Sequence, residues 1–373
     1  MAERPRILHV IFSLDAAGTE VAALRLLRFW QNDVDQSVVS FTRASGALER
    51  DFRHVAPLTV VSDRAETRLE LFHAVRRECA RMDADAIIIH SFGVHHLVVA
   101  AAGRSAGVTA IACSAGNPPP RSRSGRKAWS RVVTGSRLLG CRIAGCSLTV
   151  QRQLEDLGAR MPKGSFAIPH GIDVSSESAP SLLNRGTARF VIGMVARLDP
   201  IKDHATLLKA FAIVAQDDPE AELRIIGDGP LRPQLEDLAR HLDIDERTKF
   251  LGRRNDVDDQ LDEMNVFAFS TTEDEGFGIV MIEAMAAALP IVASDAAACR
   301  EVLGEGEAGL IVSQGDIDGF ARALKRIANE PATAARLADA ARNRVRREYS
   351  TEKFASRWLS ILGLNGEIRD LIR

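Results

Sequence analysis

Short apolar runs rich in β-branched residues alternate along this chain with longer segments in which apolar residues recur at helical spacing. This repeated strand–helix order predicts a mostly parallel β-sheet with helices on both faces. In the first half, helices are predicted at Glu20–Trp30, Leu69–Arg81 and Val94–Ala106. The strands predicted between such segments are Arg6–Ser13, Gln36–Phe41, Leu58–Val61, Ala86–His90, Thr109–Cys113, Arg142–Cys146 and Ser165–Ile168.

The segment DVSSESAPSLLNRGTAR, residues 173–189, interrupts this alternation, and its Ser, Asn, Gly and Pro content predicts a linker. The alternation then resumes, with strands predicted at Phe190–Ala196, Leu223–Ile226, Lys249–Leu251, Val266–Phe269, Ile291–Ser294 and Leu310–Val312. The accompanying helices are predicted at His204–Ala215, Leu231–His241, Asp256–Met264, Gly278–Ala288 and Ile317–Asn329. We therefore expect two doubly wound domains, 1–173 and 189–350, joined by a linker at 174–188 and facing a central cleft. Ligands of such sheets bind at the carboxyl ends of the strands.

Composition narrows the class of protein. A chain of 373 residues with 46% hydrophobic and 26% charged residues suits a soluble globular protein, and its net charge of −2 gives no reason to expect nucleic acid as a partner. The opening MAERPRILHVIFSL favours a first strand over a signal peptide, and no apolar run approaches the roughly 18 residues of a membrane span. Five cysteines without a C-x-x-C pair indicate reduced thiols of a cytoplasmic protein, with neither disulfides nor a zinc site.

Two glutamates eight residues apart, Glu275 and Glu283, occur in EDEGFGIVMIEAMAAALPIVASD at a predicted strand–turn–helix junction. The apolar residues around Glu283 predict a buried helix, so we expect a polar partner for its carboxylate. Gly276 and Gly278 allow close backbone approach to a ligand, and the helix start after them suits a phosphate. Glu283 is then placed to accept the hydroxyls of a ribose. A nucleotide with a polyhydroxylated group beyond its phosphates, facing Glu275, matches all of these positions.

Two other junctions in the second half carry candidate residues. MVARLDPIKDH delivers Arg197 and Lys202 just past a strand end, either as solvated surface residues or as a clamp for a leaving diphosphate. RIIGDGPLRPQLE contains a tight turn at Gly227–Pro230, for which turn chemistry alone is a sufficient explanation.

Together these segments resemble retaining glycosyltransferases of family 4. EGFGIVMIEAMAAALPIVASD is similar to the E-x7-E segment of that family, and ARLDPIKD, IGDGPLRPQLE, FLGRRNDV and IPHGID resemble its other motifs in the same order. The similarity extends from Arg6 to about Ile361 and is strongest in the second half. It implies the two-Rossmann architecture called GT-B, in which a last helix, here 351–373, returns to the first domain.

The resemblance also implies roles for individual residues. Arg197, Lys202 and Glu275 would be catalytic, the two cations on the diphosphate of the donor and Glu275 on the hydroxyls of the transferred sugar. Glu283 would bind the ribose. Further donor-site positions are implied at Gly276, Phe277, Gly278, Ile279, Gly227, Arg253 and Val257, and at Gly18 and Thr19 of AAGTEVAALRLL, which is similar to the family's G-G-x-E loop. His90, at the end of the strand in IIIHSFGVHHL, would line the acceptor side.

Two positions depart from the family pattern. Ala17 replaces the first glycine of the G-G pair, and Ala115 stands where many members have a histidine that is thought to contact the sugar or the acceptor. Asn117 is the nearest polar substitute on the acceptor side, with His90, His95 and His96 as others.

The implied reaction moves a hexose or N-acetylhexosamine from a nucleoside-diphosphate sugar to a glycan or lipid-linked acceptor, with retention of configuration. No metal or other cofactor is expected, and D-x-D, which occurs five times, is too frequent here to indicate a metal site. Two alternatives stay open: a nucleotide-sugar-binding subunit without turnover, and a glycoside hydrolase, which also uses two carboxylates. A hydrolase would have no need of the Arg197–Lys202 pair.

Charge is unevenly distributed, because no Asp or Glu occurs from Ala86 to Leu154. Within this window RSRSGRKAWSRVVTGSRLLGCR, residues 121–142, combines interleaved apolar residues with the cations Arg123, Arg126, Lys127 and Arg131. It predicts a surface helix packed on its own sheet, a helix that lies peripherally on anionic membrane, or a basic wall that attracts an anionic acceptor. RNA is disfavoured, since no aromatic stacking motif accompanies the charge.

Overall fold

A computed structural model of the chain describes residues 4–62, 67–174 and 189–364. It divides into two compact units, one formed by Met1–Asp173 with Ser350–Arg373 and the other by Val174–Tyr349. Each unit contains one six-stranded sheet with helices packed against it, and every strand pairing is parallel. The predicted α/β class with two doubly wound domains is confirmed. Most of the predicted linker, 175–188, lies outside the described residues.

In the first unit the strands follow the spatial order β3-β2-β1-β4-β5-β6. The chain adds strands outward on one side from β1 to β3 and on the other side from β4 to β6, so the strand order changes direction between β1 and β4. We call this place the reversal point of the sheet. The strands are β1 (Arg6–Ile11), β2 (Asp35–Thr42), β3 (Leu58–Ser62), β4 (Ala86–Ile89), β5 (Ala110–Ala115) and β6 (Cys141–Gly145). The helices that connect and follow them are α1 (Gly18–Phe29), α2 (Glu49–Val55), α3 (Arg68–Met82), α4 (Val94–Ser105), α5 (Arg123–Leu138) and α6 (Leu148–Glu155).

The second unit repeats this arrangement, with the order β12-β11-β10-β7-β8-β9 and a reversal between β7 and β10. Its strands are β7 (Val191–Val195), β8 (Glu222–Ile226), β9 (Thr248–Gly252), β10 (Val266–Phe269), β11 (Ile291–Ser294) and β12 (Leu310–Val312). Its helices are α7 (His204–Asp217), α8 (Arg232–His241), α9 (Val257–Asp262), α10 (Ile279–Ala286), α11 (Ala297–Leu303), α12 (Ile317–Asn329) and α13 (Pro331–Glu348).

The last described helix, α14 (Thr351–Leu362), belongs to the first unit and packs against α1 and β5. Its start is fixed there by the Thr351 hydroxyl, which donates to the Asp173 carboxylate over 2.7 Å. None of the helices in the described ranges is both long and apolar enough to cross a bilayer.

One predicted strand, Ser165–Ile168, is wrong. The segment runs beside β6 without forming a strand, although the Ile168 N–H donates to the Gly145 carbonyl over 2.8 Å. On the neighbouring side, the Ile143 N–H is accepted at 2.9 Å by the Ser165 hydroxyl rather than by a backbone carbonyl. A side-chain hydrogen bond at Ser165 therefore replaces one of the backbone hydrogen bonds that a regular strand would make with β6.

Buried histidines lie close to the reversal point of the first sheet. His9 on β1 and His90 after β4 are 0% and 3% exposed, and His9 Nδ1 lies 3.0 Å from His90 Nε2. Burial lowers the pKa of His9 to about 3 and that of His90 well below its ordinary value. Both rings are therefore neutral near pH 7 and form part of the core.

His96 on α4 is buried as well and is fixed by two hydrogen bonds. Its Nδ1 accepts the Gly93 N–H over 2.9 Å, so the ring proton is on Nε2, which lies 2.7 Å from the Ser136 hydroxyl on α5. Burial lowers the pKa of His96 to about 4. Protonation would require the ring to give up the Gly93 bond inside the core.

We expect His96 to make the stability of this protein pH-dependent. A histidine with a folded pKa of about 4 and an unfolded pKa of 6.5 stabilises the fold above pH 6.5, and this contribution is lost as the pH falls towards 4. The loss should amount to roughly 2 kcal/mol at pH 5. In urea unfolding at pH 7 to 4.5, His96→Gln should show a correspondingly shallower fall in the free energy of unfolding.

Ser136→Ala is the matched control, because it removes the hydrogen bond but keeps the titrating ring. It should lower the free energy of unfolding at every pH and keep the dependence of the wild type. Parallel curves for wild type and His96→Gln would contradict the assignment.

Candidate functional site

The candidate site of the second unit lies where its strand order reverses. Ligands of open α/β sheets bind beyond the carboxyl ends of the strands at this point. The segments that leave β7 and β10 there, residues 196–203 and 270–278, contain the predicted Arg197, Lys202 and Glu275.

The two segments are joined by an ion pair between the Lys202 ammonium and the Glu275 carboxylate. Their side chains are only 18% and 9% exposed, so the pair is largely shielded from water. The ammonium also lies 4.8 Å from the ring centroid of Phe269, at the end of β10. Thr271 contacts both sides, since its hydroxyl donates to the Ile201 carbonyl over 3.0 Å and lies 3.5 Å from the Glu275 carboxylate. The structure thus brings these two predicted residues together.

Arg197 is the exposed cation of the same loop, with 68% of its side chain accessible. Its Nε donates to the carboxylate of Asp199 over 2.6 Å, and Asp199 is 8% exposed. The other oxygen of Asp199 accepts the N–H groups of Ile201 and Lys202 at 3.0 and 3.3 Å. Asp199 therefore shapes the loop that presents both cations. Asp199 was not among the residues predicted from the sequence, although its position between the two cations was a signal.

The Gly-Phe-Gly turn connects this pair to α10. Gly278 precedes the helix with a φ of +83°, and a Cβ there would lie 3.2 Å from the Phe269 ring. Gly276 and Phe277 are buried, and the Phe277 side chain packs against Tyr349 with 5.5 Å between ring centroids. The Phe277 N–H points back to Glu275, whose Oε1 lies 3.4 Å away. Ile279, half-exposed, is the first residue of the helix.

The predicted burial of Glu283 is wrong, because α10 is not apolar all the way round. The helix buries Met281, Ile282, Ala284 and Met285 on one side. Glu283 lies on the opposite, half-exposed side, which it shares with Ile279. Two turns of helix were too short for the sequence to distinguish a buried side from a partly open one. The half-exposed position is one that a ligand can reach.

Gly227 and Gly229 support the Arg197 loop through the backbone. The Leu198 N–H donates to the Asp228 carbonyl, and the Leu198 carbonyl accepts the Leu231 N–H, both over 3.1 Å. A Cβ on Gly227, whose φ is +132°, would lie 2.0 Å from the carbonyl oxygen of Ala196. The glycines of this turn thus permit two loops to pack backbone against backbone.

Arg253 and Val257 lie further along the same edge of the sheet, after β9, with β8 between them and β7. Arg253 is exposed, and Val257 begins α9. The loop between them is held by Arg254, whose Nε donates to Asp256 over 2.7 Å. The turn at Gly227 reaches this loop, because its N–H donates to the Gly252 carbonyl over 2.8 Å.

In the first unit, Gly18 and Thr19 form the start of α1, and a Cβ on Gly116 would lie 3.5 Å from the Thr19 hydroxyl. Asn117, the residue after Gly116, is exposed, whereas Ala115 at the end of β5 is 0% exposed.

Glu20, next to Thr19, was not predicted as a site residue. It is 7% exposed, and burial, together with the nearby Asp15, raises the pKa of its carboxyl to about 7.

The histidines predicted for the acceptor side lie in packed surroundings. His90 is 3% exposed and contacts His9 and Trp358, which favours a packing role over contact with an acceptor.

His96 lies near Cys113 and Cys141, and these three buried side chains are close enough together to be considered as metal ligands. Both nitrogens of His96 are already hydrogen-bonded, however, so the ring has no lone pair to offer.

The basic stretch forms α5. Arg123, Lys127 and Arg131 are exposed at a spacing of four residues and form one line along the helix, which we call the basic face. Arg126 is half-buried, and its guanidinium donates to the Asp156 carbonyl over 2.9 Å. On the opposite side Val132 and Val133 are buried in the fold. These valines are therefore unavailable to enter a bilayer, and what α5 presents to solvent along this line is charge.

Comparison with solved structures defines the class of fold. The chain superposes on an Anabaena protein, HepE, crystallised with UDP-glucose, with a TM-score of 0.81 over 96% of this chain and 99% of that one. The sequences are 21% identical, so this likeness concerns the fold, which is that of GT-B glycosyltransferases.

The sequence model of the family described as "Glycosyl transferases group 1" matches residues 177–344. Residues 177–344 are therefore similar in sequence to that family, which confirms the predicted resemblance.

Curated relatives resemble part of the chain. Phosphatidyl-myo-inositol mannosyltransferase of Mycolicibacterium smegmatis is 37% identical over 190 residues, which are 49% of this chain and 47% of that protein. The Mycobacterium leprae protein of the same name is 34% identical over 226 residues, or 59% of this chain and 56% of that one. These matches span about half the length of the curated relatives.

We expect Gly227→Ala to destabilise the Arg197 loop. The new Cβ would collide with the Ala196 carbonyl oxygen, and neither backbone can move away without breaking its hydrogen bonds. Such overpacking should lower the free energy of unfolding by roughly 1–3 kcal/mol, in addition to the strain of a positive φ. Urea unfolding measures the change.

Gly93→Ala separates the two effects, because Gly93 has a comparable φ of +146° and nothing within 4 Å of its Cβ position. It should cost the strain alone. Equal losses in the two variants would show that the backbone contact at Gly227 contributes nothing.

Proposed function

We propose that this protein is a retaining, metal-independent glycosyltransferase that takes its sugar from a nucleoside-diphosphate donor. The observation that carries the proposal is the shielded Lys202–Glu275 pair, at the reversal point of a sheet whose sequence is similar to the group 1 glycosyl transferases. A cation and a carboxylate held side by side suit a ligand that has phosphates at one end and hydroxyls at the other.

Each end of the donor then has a partner in the second unit. Lys202 and the exposed Arg197 bind the diphosphate, and the N–H groups at the start of α10 add partial positive charge. Glu275 accepts hydrogen bonds from the sugar hydroxyls. Glu283, on the half-exposed side of α10, accepts those of the ribose. Arg253 and Val257 border the base at the neighbouring strand end.

Charge bookkeeping explains why two cations belong here. A bond forms between the acceptor oxygen and the anomeric carbon, while the bond from that carbon to the phosphate oxygen breaks on the same face. The leaving diphosphate gains about one negative charge and receives the acceptor's proton. Preorganised cations stabilise this developing charge, and such stabilisation is usually the largest catalytic contribution. Lys202 is suited to the role because Asp199 and Glu275 fix its position before the donor binds.

We propose mannose or a related hexose as the sugar and a lipid-linked acceptor, for synthesis of a cell-surface glycolipid or polysaccharide. Support comes from the mycobacterial relatives, which are phosphatidyl-myo-inositol mannosyltransferases. The basic face of α5 is suited to the anionic part of such an acceptor. With such an acceptor, the protein would be cytoplasmic and would transfer the sugar at the inner surface of the cell membrane.

A thermal-shift panel of UDP, GDP and ADP, each with and without its common sugars, should reveal one nucleotide that stabilises the protein. At 100 times its dissociation constant a ligand adds about 2.7 kcal/mol, which is several degrees in Tm. Glu283→Gln and Lys202→Met should each reduce the shift, whereas Glu307→Gln, at an exposed position of the same unit, should not. If no nucleotide shifts the wild type, the donor site is refuted.

The same preparation distinguishes the alternatives. A binding subunit would respond to the nucleotide but transfer no sugar to any acceptor pool. A glycoside hydrolase would cleave a nitrophenyl glycoside without nucleotide. Transfer that is lost on treatment with EDTA would contradict metal independence, and inversion at the anomeric carbon, read by NMR of the product, would contradict retention.

The basic face should bind anionic lipid surfaces electrostatically. We expect wild type to sediment with vesicles of phosphatidylcholine that contain phosphatidylinositol, at low salt, and to remain in solution with phosphatidylcholine alone. Replacing Arg123, Lys127 and Arg131 with Gln should abolish the difference. The control variant replaces three exposed cations of the second unit with Gln, at Lys209, Arg322 and Arg336, and should behave as wild type. Equal losses in the two triple variants would mean that only total charge matters.

A further inference from the structure

Five large hydrophobic side chains are well exposed among the described residues, and three of them lie at one corner of the first unit. Phe12, Leu69 and Val94 are 39%, 66% and 45% exposed. Phe12 directly follows β1, Leu69 is the second residue of α3, and Val94 begins α4. In a parallel sheet with crossover helices, strand ends and helix starts meet at the carboxyl edge, so all three side chains lie at the edge where ligands bind.

Ring contacts join Phe12, β2 and α4, and α3 packs against α4. The ring centroids of Phe12 and Phe41 are 5.7 Å apart, and the ring of His95 lies 5.4 Å from Phe12 and 4.9 Å from Phe41. Phe41, which is 3% exposed, forms the floor. We call the set of Phe12, Phe41, Leu69, Val94 and His95 the apolar corner.

The corner has a neutral interior and a positive rim. Burial lowers the pKa of His95, and the charge of Arg68 lowers it further, so Arg68 lies close to this ring. Arg68 is exposed at the first position of α3. Arg123, which begins α5, adds positive charge at the same edge of the sheet. An apolar surface bordered by cations complements a molecule that has a hydrocarbon part and an anionic part.

We propose that the apolar corner seats the hydrocarbon of an anionic lipid acceptor next to the reversal point of the first sheet. The assignment rests on the proposed function, to which it adds the residues that select a lipid over a water-soluble glycan. The loop that starts at Phe12 leads directly to Gly18 and Thr19, so a lipid bound here would present its headgroup towards the residues expected near the diphosphate. Burying these side chains against hydrocarbon supplies the affinity.

Titration with dioctanoyl phosphatidylinositol below its micellar concentration, next to inositol phosphate alone, tests the proposal by calorimetry. Wild type should bind the lipid at least ten times more tightly than the headgroup. Leu69→Ser/Val94→Ser should lose this preference, because both side chains are exposed and can be changed without opening the core. The control Leu138→Ser/Leu148→Ser removes side chains that are 82% and 52% exposed elsewhere on the unit, and it should bind as wild type.

A fluorescent reporter gives a readout independent of stability. Of the three tryptophans, Trp30 and Trp358 are 1% exposed, so Leu69→Trp in a Trp129→Phe background places one accessible indole in the corner. Its emission should shift to the blue when the lipid is added. An unchanged emission, or equal binding by the corner and control variants, would overturn the proposal.

If the apolar corner does not bind lipid, the proposed donor site is unaffected, because a nucleotide would still raise the Tm in the thermal-shift panel. If the lipid binds at the corner and no nucleotide binds, the proposed function fails and the lipid site remains.

Discussion

The contact between Lys202 and Glu275 is the interaction on which the second unit's site depends. Each residue follows a different central strand, and each is largely removed from water, so either charge alone would be costly in that position. Together they hold the loops after β7 and β10 at the spacing that a ligand between those strand ends requires. Asp199 and Thr271 extend the same constraint into the backbone through hydrogen bonds. A site organised in this way exists before its ligand arrives, and little ordering remains to be done on binding.

The architecture was predictable because central parallel strands are buried on both faces. Strands β4 and β7 therefore read as unbroken apolar runs, and their positions followed directly. Glycines and charges at strand ends located the three junctions of the second half for the same reason, since they interrupt otherwise apolar segments. The Ser165–Ile168 segment has the composition of a strand, but whether a backbone or a side chain accepts its neighbour's N–H is decided by tertiary contacts.

Side-chain surroundings were less predictable than elements. The apolar pattern around Glu283 indicated burial. Whether the second side of this eight-residue helix is buried depends on which neighbours cover it, and the sequence of the helix does not show that. His90 was predicted from a motif at a strand end, where exposure is usual, but His9 and Trp358 cover it from parts of the chain distant in sequence. The apolar corner shows the converse case. Phe12, Leu69 and Val94 each fit an element as core residues, and only the fold shows that nothing in the described part of the chain covers them fully.

Helix α14 has a consequence for how this protein is made. Trp358 and Phe354 pack into the first unit beside His90 and His170, although the whole second unit is encoded between the two parts of the first. During synthesis the first sheet therefore emerges well before the helix that completes its core. At roughly 5–20 residues per second, translation of the intervening segment takes on the order of ten seconds or more. Throughout this interval the nascent first unit exposes the surface that α14 will cover, and it needs either tolerance of that exposure or protection by a chaperone.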